Sequence, residues 1–299
     1  MSDLKIGMIG LDTSHCGAIV NTLNHEDNPH HIPGARITGA FPGGTDLCAV
    51  SRDRVGKFTD EMRDKHQVPI YDSIEKLVEV SDALIMTSVD GRQHLEQFRI
   101  VAPAGKAIFI DKPFACSYDD ARKIADLAAQ TGCPVMSGSS LRYSGGVSGL
   151  VPEDAEVRAC EVFGTMPIQD DYPVYFWYAV HGAEMLFSYF GKGCRSVQTI
   201  HRDDQDLLIG LWDDGRIGTV RGMRFSTYHF GINVYTTKGT VHGLAANDPP
   251  GHVLMLQRMI PFLQTGESPI DVEETVEVMA FLDAAGQSLE KDGAVVVMP

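Results

Sequence analysis

A lysine placed directly behind an apolar run and ahead of a proline is the first arrangement in this chain that could do chemistry. Residues 107–110 form the run and Asp111-Lys112-Pro113 follows it. A strand there would deliver the Lys112 ammonium to its carboxyl end, where open α/β sheets bind ligands, and the proline stiffens the backbone that aims it. Such a group polarises a carbonyl or holds a hydroxyl by a charge-assisted hydrogen bond. The second arrangement is Gly10-Leu11-Asp12-Thr13-Ser14-His15, just after an apolar strand over 5–9. Three glycines in such a turn would allow tight folding, close approach of a pyrophosphate and close helix packing; only Gly10 is in place. Asp12 stands where backbone would meet a phosphate, and its charge opposes that contact. Thr13 and Ser14 offer hydroxyls, and a helix starting near Cys16 would draw an anion to its N-terminus. A phosphate-binding turn and a plain structural turn both satisfy these six residues.

Other positions read in two ways as well. The second strand, 35–41, ends in Phe41-Pro42-Gly43 and so lacks the carboxylate that takes the ribose hydroxyls of NAD. Ser51, Arg52 and Arg54 come soon after; they would meet a 2′-phosphate, or else sit solvated in the first turn of a helix. Tyr172, Tyr175, Phe176, Trp177 and Tyr178 make an aromatic run. Such faces stack on sugar rings, and they also fill cores and subunit contacts.

The elements that must position these residues change character along the chain. Up to about residue 140, β-branched runs alternate with helical patterns, the layout of a parallel sheet with crossover helices. A helix is expected over 16–24, another from Ser51 as N-cap to about 65, and a third over 118–130. Residues 82–88 are an apolar run of the kind buried on both faces. After Arg142 the glycines Gly145, Gly146 and Gly149 loosen the chain. Strands then dominate: 156–163, 196–201, 207–212, 217–223, 227–237 and 240–243, with Asp213-Asp214-Gly215 as a hairpin signal. Helices are expected near 180–190, 252–264 and 272–291. The fold class is α/β: an N-terminal Rossmann-type parallel sheet over 1–142, and a C-terminal α+β domain over 143–299 with an open, mostly antiparallel sheet.

Composition narrows the function classes. The 299 residues are 43% hydrophobic and 22% charged, ordinary for a globular protein, and the formal net charge is −15. A surface so acidic repels phosphate backbones and anionic lipids, so neither nucleic acid nor membrane is an expected partner. The six cysteines are scattered without a CxxC pair, which argues against a disulfide framework or zinc ribbon. The start, Met-Ser-Asp-Leu-Lys, lacks a signal-peptide layout, and no apolar stretch nears the ~20 residues a membrane span needs. The expectation is a cytoplasmic protein without a metal.

The segment SDALIMTSVDGRQHLEQFRIVAPAGKAIFIDKPFACSYDDARKIADLAAQTGCPV, running from Ser81 to Val135, resembles the Gfo/Idh/MocA oxidoreductase family. It has the family's strand, loop histidine (His94) and Ala-Gly-Lys, and Asp111-Lys112-Pro113 stands in for its Glu-Lys-Pro. VHGAEMLFSYFGKG is similar to the helix in which a catalytic histidine precedes an acid by three residues, and DDGRIGTV and TTKGTVHG are similar to its hairpins. The resemblance implies NAD or NADP as cofactor, with Gly10, Asp12, Thr13, Ser14, His15, Ser88, His94, Asp111 and Lys112 around it. It implies that Lys112 contacts nicotinamide and substrate and that His181 takes the hydroxyl proton, a role an imidazole suits because it titrates near neutrality. His181 and Glu184 would otherwise form a local pair or sit in the core; a zinc half-site lacks a third ligand. Many relatives carry a carboxylate four residues before the histidine, where Trp177 stands here. Arg142, Trp177 and Tyr178 are the candidate substrate contacts. The implied activity is hydride transfer to or from a secondary alcohol of a sugar, polyol or related carbohydrate, in a homodimer or homotetramer built through the C-terminal sheet. The departures from the family pattern leave two other readings open: a ligand sensor or accessory protein without turnover, and a glycoside-cleaving enzyme that uses transient oxidation.

Overall fold

The computed structural model describes residues 3–225 and 229–299, and the chain divides into two compact units. The first is residues 1–138 with 252–272; the second is 139–251 with 273–299.

The first unit is built on five parallel strands, β1 (Leu4–Ile9), β2 (Ala35–Phe41), β3 (Ala83–Met86), β4 (Ile108–Asp111) and β5 (Val135–Gly138), in the order β2-β1-β3-β4-β5. Every residue of β3 and β4 is buried, as parallel strands covered on both faces require. The helices are α1 (His15–Asn24), α2 (Ala49–Arg52), α3 (Val55–Asp60), α4 (Ile74–Val80), α5 (His94–Val101) and α6 (Tyr118–Thr131). Local chemistry sets the ends of α6: Ser117 accepts from the Asp120 amide, Asp119 and Asp120 face the positive end of the dipole, and Gly132 at φ +67° closes the helix.

Two expectations change here. The single helix from Ser51 to about Lys65 is broken into α2, α3 and a π-helical turn at Glu61–Lys65. Ser51 lies inside α2 rather than capping it, because its hydroxyl donates to Asp12. The domain division read as one cut near residue 142 is a change of unit after 138 followed by a return. Helix α8 (Gly251–Thr265) rejoins the first unit from residue 252: His252 Nε2 lies 3.3 Å from Thr22 Oγ1, and Gln264 donates to the Gly34 carbonyl at 3.5 Å. An amphipathic pattern says that a helix has a buried face, but not which sheet it covers.

The second unit carries seven strands: β6 (Val157–Thr165), β7 (Cys194–Arg202), β8 (Gln205–Trp212), β9 (Ile217–Met223), β10 (Gly231–Thr236), β11 (Gly239–Leu244) and β12 (Val296–Val297). Their order is β11-β10-β6-β9-β8-β7-β12. All neighbours are antiparallel except β6 and β9. The strand expected from residue 227 is described from Gly231; residues 226–228 lie outside the described part. Helices α7 (Ala179–Phe190) and α9 (Val272–Glu290) bring apolar residues to one face of this sheet. In β8, Asp206, Leu208, Gly210 and Trp212 are buried while the alternate residues are not. Trp212 meets Phe187, Phe190 and Phe281 with ring centres 5.3, 4.7 and 6.5 Å away. Gly182 lets α7 lie close, since a Cβ there would come within 2.5 Å of Val220.

One contact in the first unit makes its stability depend on pH. The fully buried His66 side chain places Nδ1 2.9 Å from His25 Nε2, and its Nε2 is 3.6 Å from Glu61, too far for a hydrogen bond. Burial, with Lys65 and His25 nearby, lowers the His66 pKa. The unfolded chain therefore binds the proton more readily, so this stability is full above the ordinary histidine value. It is lost as pH falls from there through the lowered native value. Chemical denaturation at pH 7.5 and pH 5.0 should show wild type losing stability on acidification, with His66→Asn losing less.

Candidate functional site

The carboxyl ends of β1, β3 and β4 lie side by side in the first sheet, and the candidate cofactor residues gather there. Gly10 follows β1 with φ +92°, and a Cβ on it would sit 2.3 Å from the Ser88 amide nitrogen. The Thr87 hydroxyl donates to the Gly10 carbonyl at 2.6 Å. The turns after β1 and β3 touch, and only glycine fits between them.

The Asp12 side chain is taken up within the unit. It is fully buried; one carboxylate oxygen accepts from the Ser51 hydroxyl at 2.6 Å and the other from the Val89 amide at 2.8 Å. Burial raises its pKa, and these donors with the nearby His94 act in the opposite direction. The carboxylate is a tie between the turns after β1 and β3 and helix α2. The same contact settles the two uses read for Ser51, since its hydroxyl is committed to Asp12. Arg52 is exposed and bonds Asp53 and the Asp46 carbonyl.

Thr13 is buried. Ser14 is exposed and precedes α1 without a side-chain capping bond; the His15 amide donates instead to the Thr13 hydroxyl at 3.4 Å, and no acidic residue stands in the first turn to repel an anion. His15 opens α1 and places Nδ1 2.5 Å from Asp111 Oδ2, joining α1 to the end of β4. The His15 side chain keeps 35% exposure, against 7% for Asp111. Burial alone would raise the Asp111 carboxyl, but His15 and Lys112 outweigh it and hold it below its ordinary value. Lys112 is half-buried; desolvation lowers its pKa, opposed by Asp111 and Cys116. An ionised carboxylate thus lies between two basic groups at the sheet edge.

Ser88 and His94 support this edge from beneath. Ser88 is buried and donates to Gln97 at 2.9 Å. His94 is fully buried, its ring spanning the carbonyls of Phe114 at 3.2 Å and Ser88 at 2.9 Å. Neither side chain is presented at the surface.

In the second unit His181 and Glu184 take separate partners. His181, in the first turn of α7, has Nδ1 2.6 Å from the Ser139 hydroxyl, with the Tyr178 and Phe230 rings edge-on at 5.5 and 5.7 Å. Glu184 does not pair with it. Glu184 is buried and meets Arg142 at 2.9 Å, and the same guanidinium bonds Glu274. Burial raises Glu184, with Arg142 pulling it back; Arg142 itself is raised, its two carboxylates outweighing desolvation. Arg142, a candidate substrate contact, is therefore engaged within the unit and only 10% exposed. Trp177 is buried against Tyr172 and Tyr178, and Tyr178 is half-buried. Ser139 was not among the expected site residues. No motif ties a serine after β5 to a histidine 42 positions on; the fold alone brings them together. Among the described residues no group of three or more His, Cys, Asp or Glu could hold a metal.

The chemistry at the edge of the first sheet fits a dinucleotide: a glycine where side chains do not fit, a helix start without an acidic residue, and a carboxylate turned inward. Residues 4–139 match the GFO_IDH_MocA family, described as an oxidoreductase family with an NAD-binding Rossmann fold. No curated protein matches the sequence. Among solved structures, the chain is similar to a probable dehydrogenase from Thermotoga maritima at 18% identity and TM-score 0.76, with 98% of this chain and 99% of that one covered. It is similar to a myo-inositol dehydrogenase from Lactobacillus casei in complex with NAD(H) and myo-inositol, at 15%, TM-score 0.77 and coverage of 99% and 97%. A putative NADPH-dependent oxidoreductase from Desulfitobacterium hafniense gives 16%, TM-score 0.76 and coverage of 99% and 98%. At these identities the likeness is one of fold.

The Arg142 cluster has a direct test. Arg142→Met leaves Glu184 and Glu274 without their common partner, and should cost about 3–5 kcal/mol in denaturant unfolding. Unchanged stability with a raised KM would instead return Arg142 to substrate binding.

Proposed function

From the first unit's membership of the Gfo/Idh/MocA oxidoreductase family, we propose that this chain is an NAD(P)-dependent dehydrogenase acting on a secondary alcohol of a sugar or polyol. The observation that carries the reading is the end of β4, where Lys112 stands beside an Asp111 kept ionised by His15. When bound, the nicotinamide cofactor supplies the hydride acceptor or donor. The first-turn amides of α1 and the side chains of Thr13, Ser14 and His15 hold its diphosphate, with Gly10 keeping the turn open. Lys112 orients and polarises the reacting oxygen. His181 carries the hydroxyl proton, with Tyr178 bordering the substrate. Asp12 no longer counts toward an inactive reading, because its charge is used internally. The similarity to a myo-inositol dehydrogenase makes cyclic polyols the first substrates to try.

The outer face of the second sheet supports self-association. Leu211 and Ile217 are cross-strand partners, 44% and 52% exposed, and Ile200 on β7 is 44% exposed. A sheet with one helix-covered face and apolar residues on the other gains by pairing with a copy of itself, so a homodimer or homotetramer in the cytoplasm is the working state.

A spectrophotometric screen of polyols and sugars with NAD and NADP should find turnover. Lys112→Ala should lower kcat/KM at least about a hundredfold, the scale of a lost polarising group. Full activity in that variant, or no turnover on any secondary alcohol, would contradict the reading. Light scattering should give a dimer or tetramer that Leu211→Lys shifts to smaller species; a monomeric wild type would remove the sheet interface.

A further inference from the structure

We propose that Ser139 is the positioning residue of His181 and holds the neutral imidazole with its proton on Nε2. Both residues belong to the second unit, and the 2.6 Å contact is between Ser139 Oγ and His181 Nδ1. A serine hydroxyl has one proton to give and two lone pairs to receive with. One lone pair is taken: Ser139 caps the short 3₁₀ turn Ser140–Tyr143 by accepting from the Leu141 amide at 3.2 Å. The Ser139 amide goes to the Glu184 carboxylate one helical turn from His181, fixing the serine backbone as well. Ser139 is fully buried. Among the described residues, Nδ1 is the acceptor within reach of its O–H. A buried hydroxyl gives its proton where an acceptor exists, so Oγ–H donates to Nδ1 and the ring proton resides on Nε2.

This differs in kind from holding a histidine with a carboxylate. A carboxylate only accepts, so it fixes the proton on Nδ1, leaves Nε2 as a base and favours the imidazolium. Position 177, one turn before His181, carries tryptophan, and the hydroxyl of Ser139 serves the imidazole instead. A hydroxyl is reversible. It donates to Nδ1 of the neutral ring, and it turns to accept from Nδ1–H once the ring gains its second proton there. The resting ring has no free lone pair at Nε2, so to take a hydroxyl proton there it first gains a solvent proton at Nδ1, where the turned Ser139 hydroxyl accepts, and releases its Nε2 proton to solvent. In ketone reduction the imidazolium gives its Nε2 proton to the oxygen and returns with Nδ1–H. The catalytic consequence rests on His181 being the proton carrier proposed above; the tautomer does not.

The test is long-range proton–nitrogen NMR on the full chain labelled with ¹⁵N-histidine, with the His181 resonances assigned by His181→Gln. At a pH where the ring is neutral, wild type should show Nε2–H with Nδ1 shifted by hydrogen bonding. Nδ1–H would overturn the proposal without any variant. Ser139→Ala should abolish the hydrogen-bonding shift of Nδ1, while Ser139→Thr keeps both that shift and the tautomer. An Nδ1 shift unchanged in Ser139→Ala, measured on folded protein, also overturns it. If the chain binds neither NADH nor NADPH while the NMR result holds, the dehydrogenase reading fails and the Ser139–His181 arrangement stands.

Discussion

The first unit depends on a buried carboxylate. Asp12 receives the Val89 amide and the Ser51 hydroxyl, which ties the turn after β1 to the turn after β3 and to the helix after β2. A carboxylate removed from water destabilises a fold unless its lone pairs are met. Here they are met by groups that themselves need partners: a backbone amide at a strand end and a hydroxyl inside a short helix. With Asp12 anchored, Gly10 must sit against Ser88, where no side chain fits. The Asp12 charge is thereby taken up inside the unit, and the first turn of α1 carries no acidic residue.

The neighbouring strand repeats the device with a different purpose. Asp111 is buried at the end of β4, yet its carboxyl is held below the ordinary range because His15 and Lys112 flank it. Two carboxylates on the same sheet edge are thus pushed apart, one raised by burial and one lowered by bases. Divergent environments of this sort commonly separate structural from chemical roles. Asp12 organises the turns, and Asp111 gives Lys112 its counter-charge.

Much of this was legible from the sequence, and the illegible part has physical reasons. The parallel sheet could be read because β3 and β4 are continuous apolar runs. Lys112 could be placed at a strand end because the proline after it marks the turn. The direction of the Asp12 side chain could not be read, since its partners are 39 and 77 residues away. The Ser139–His181 contact was hidden likewise. The helical spacing of His181 and Glu184 suggested a local pair, but the fold supplied each with a different partner from the 139–142 segment. Short-range periodicity specifies which face of an element is buried; it does not say which distant polar group will meet a side chain there.

The central claim is that an altered glycine turn, with its acid anchored inward, still holds a dinucleotide. The direct measurement is a titration of the purified chain with NADH and NADPH, followed by nicotinamide fluorescence, for wild type and for Ser51→Ala, which removes one anchor of Asp12. The account predicts saturable binding of at least one cofactor by wild type and weaker binding by Ser51→Ala, whose Asp12 is freer to face the phosphates. Absence of binding to folded wild-type protein at millimolar cofactor would contradict it.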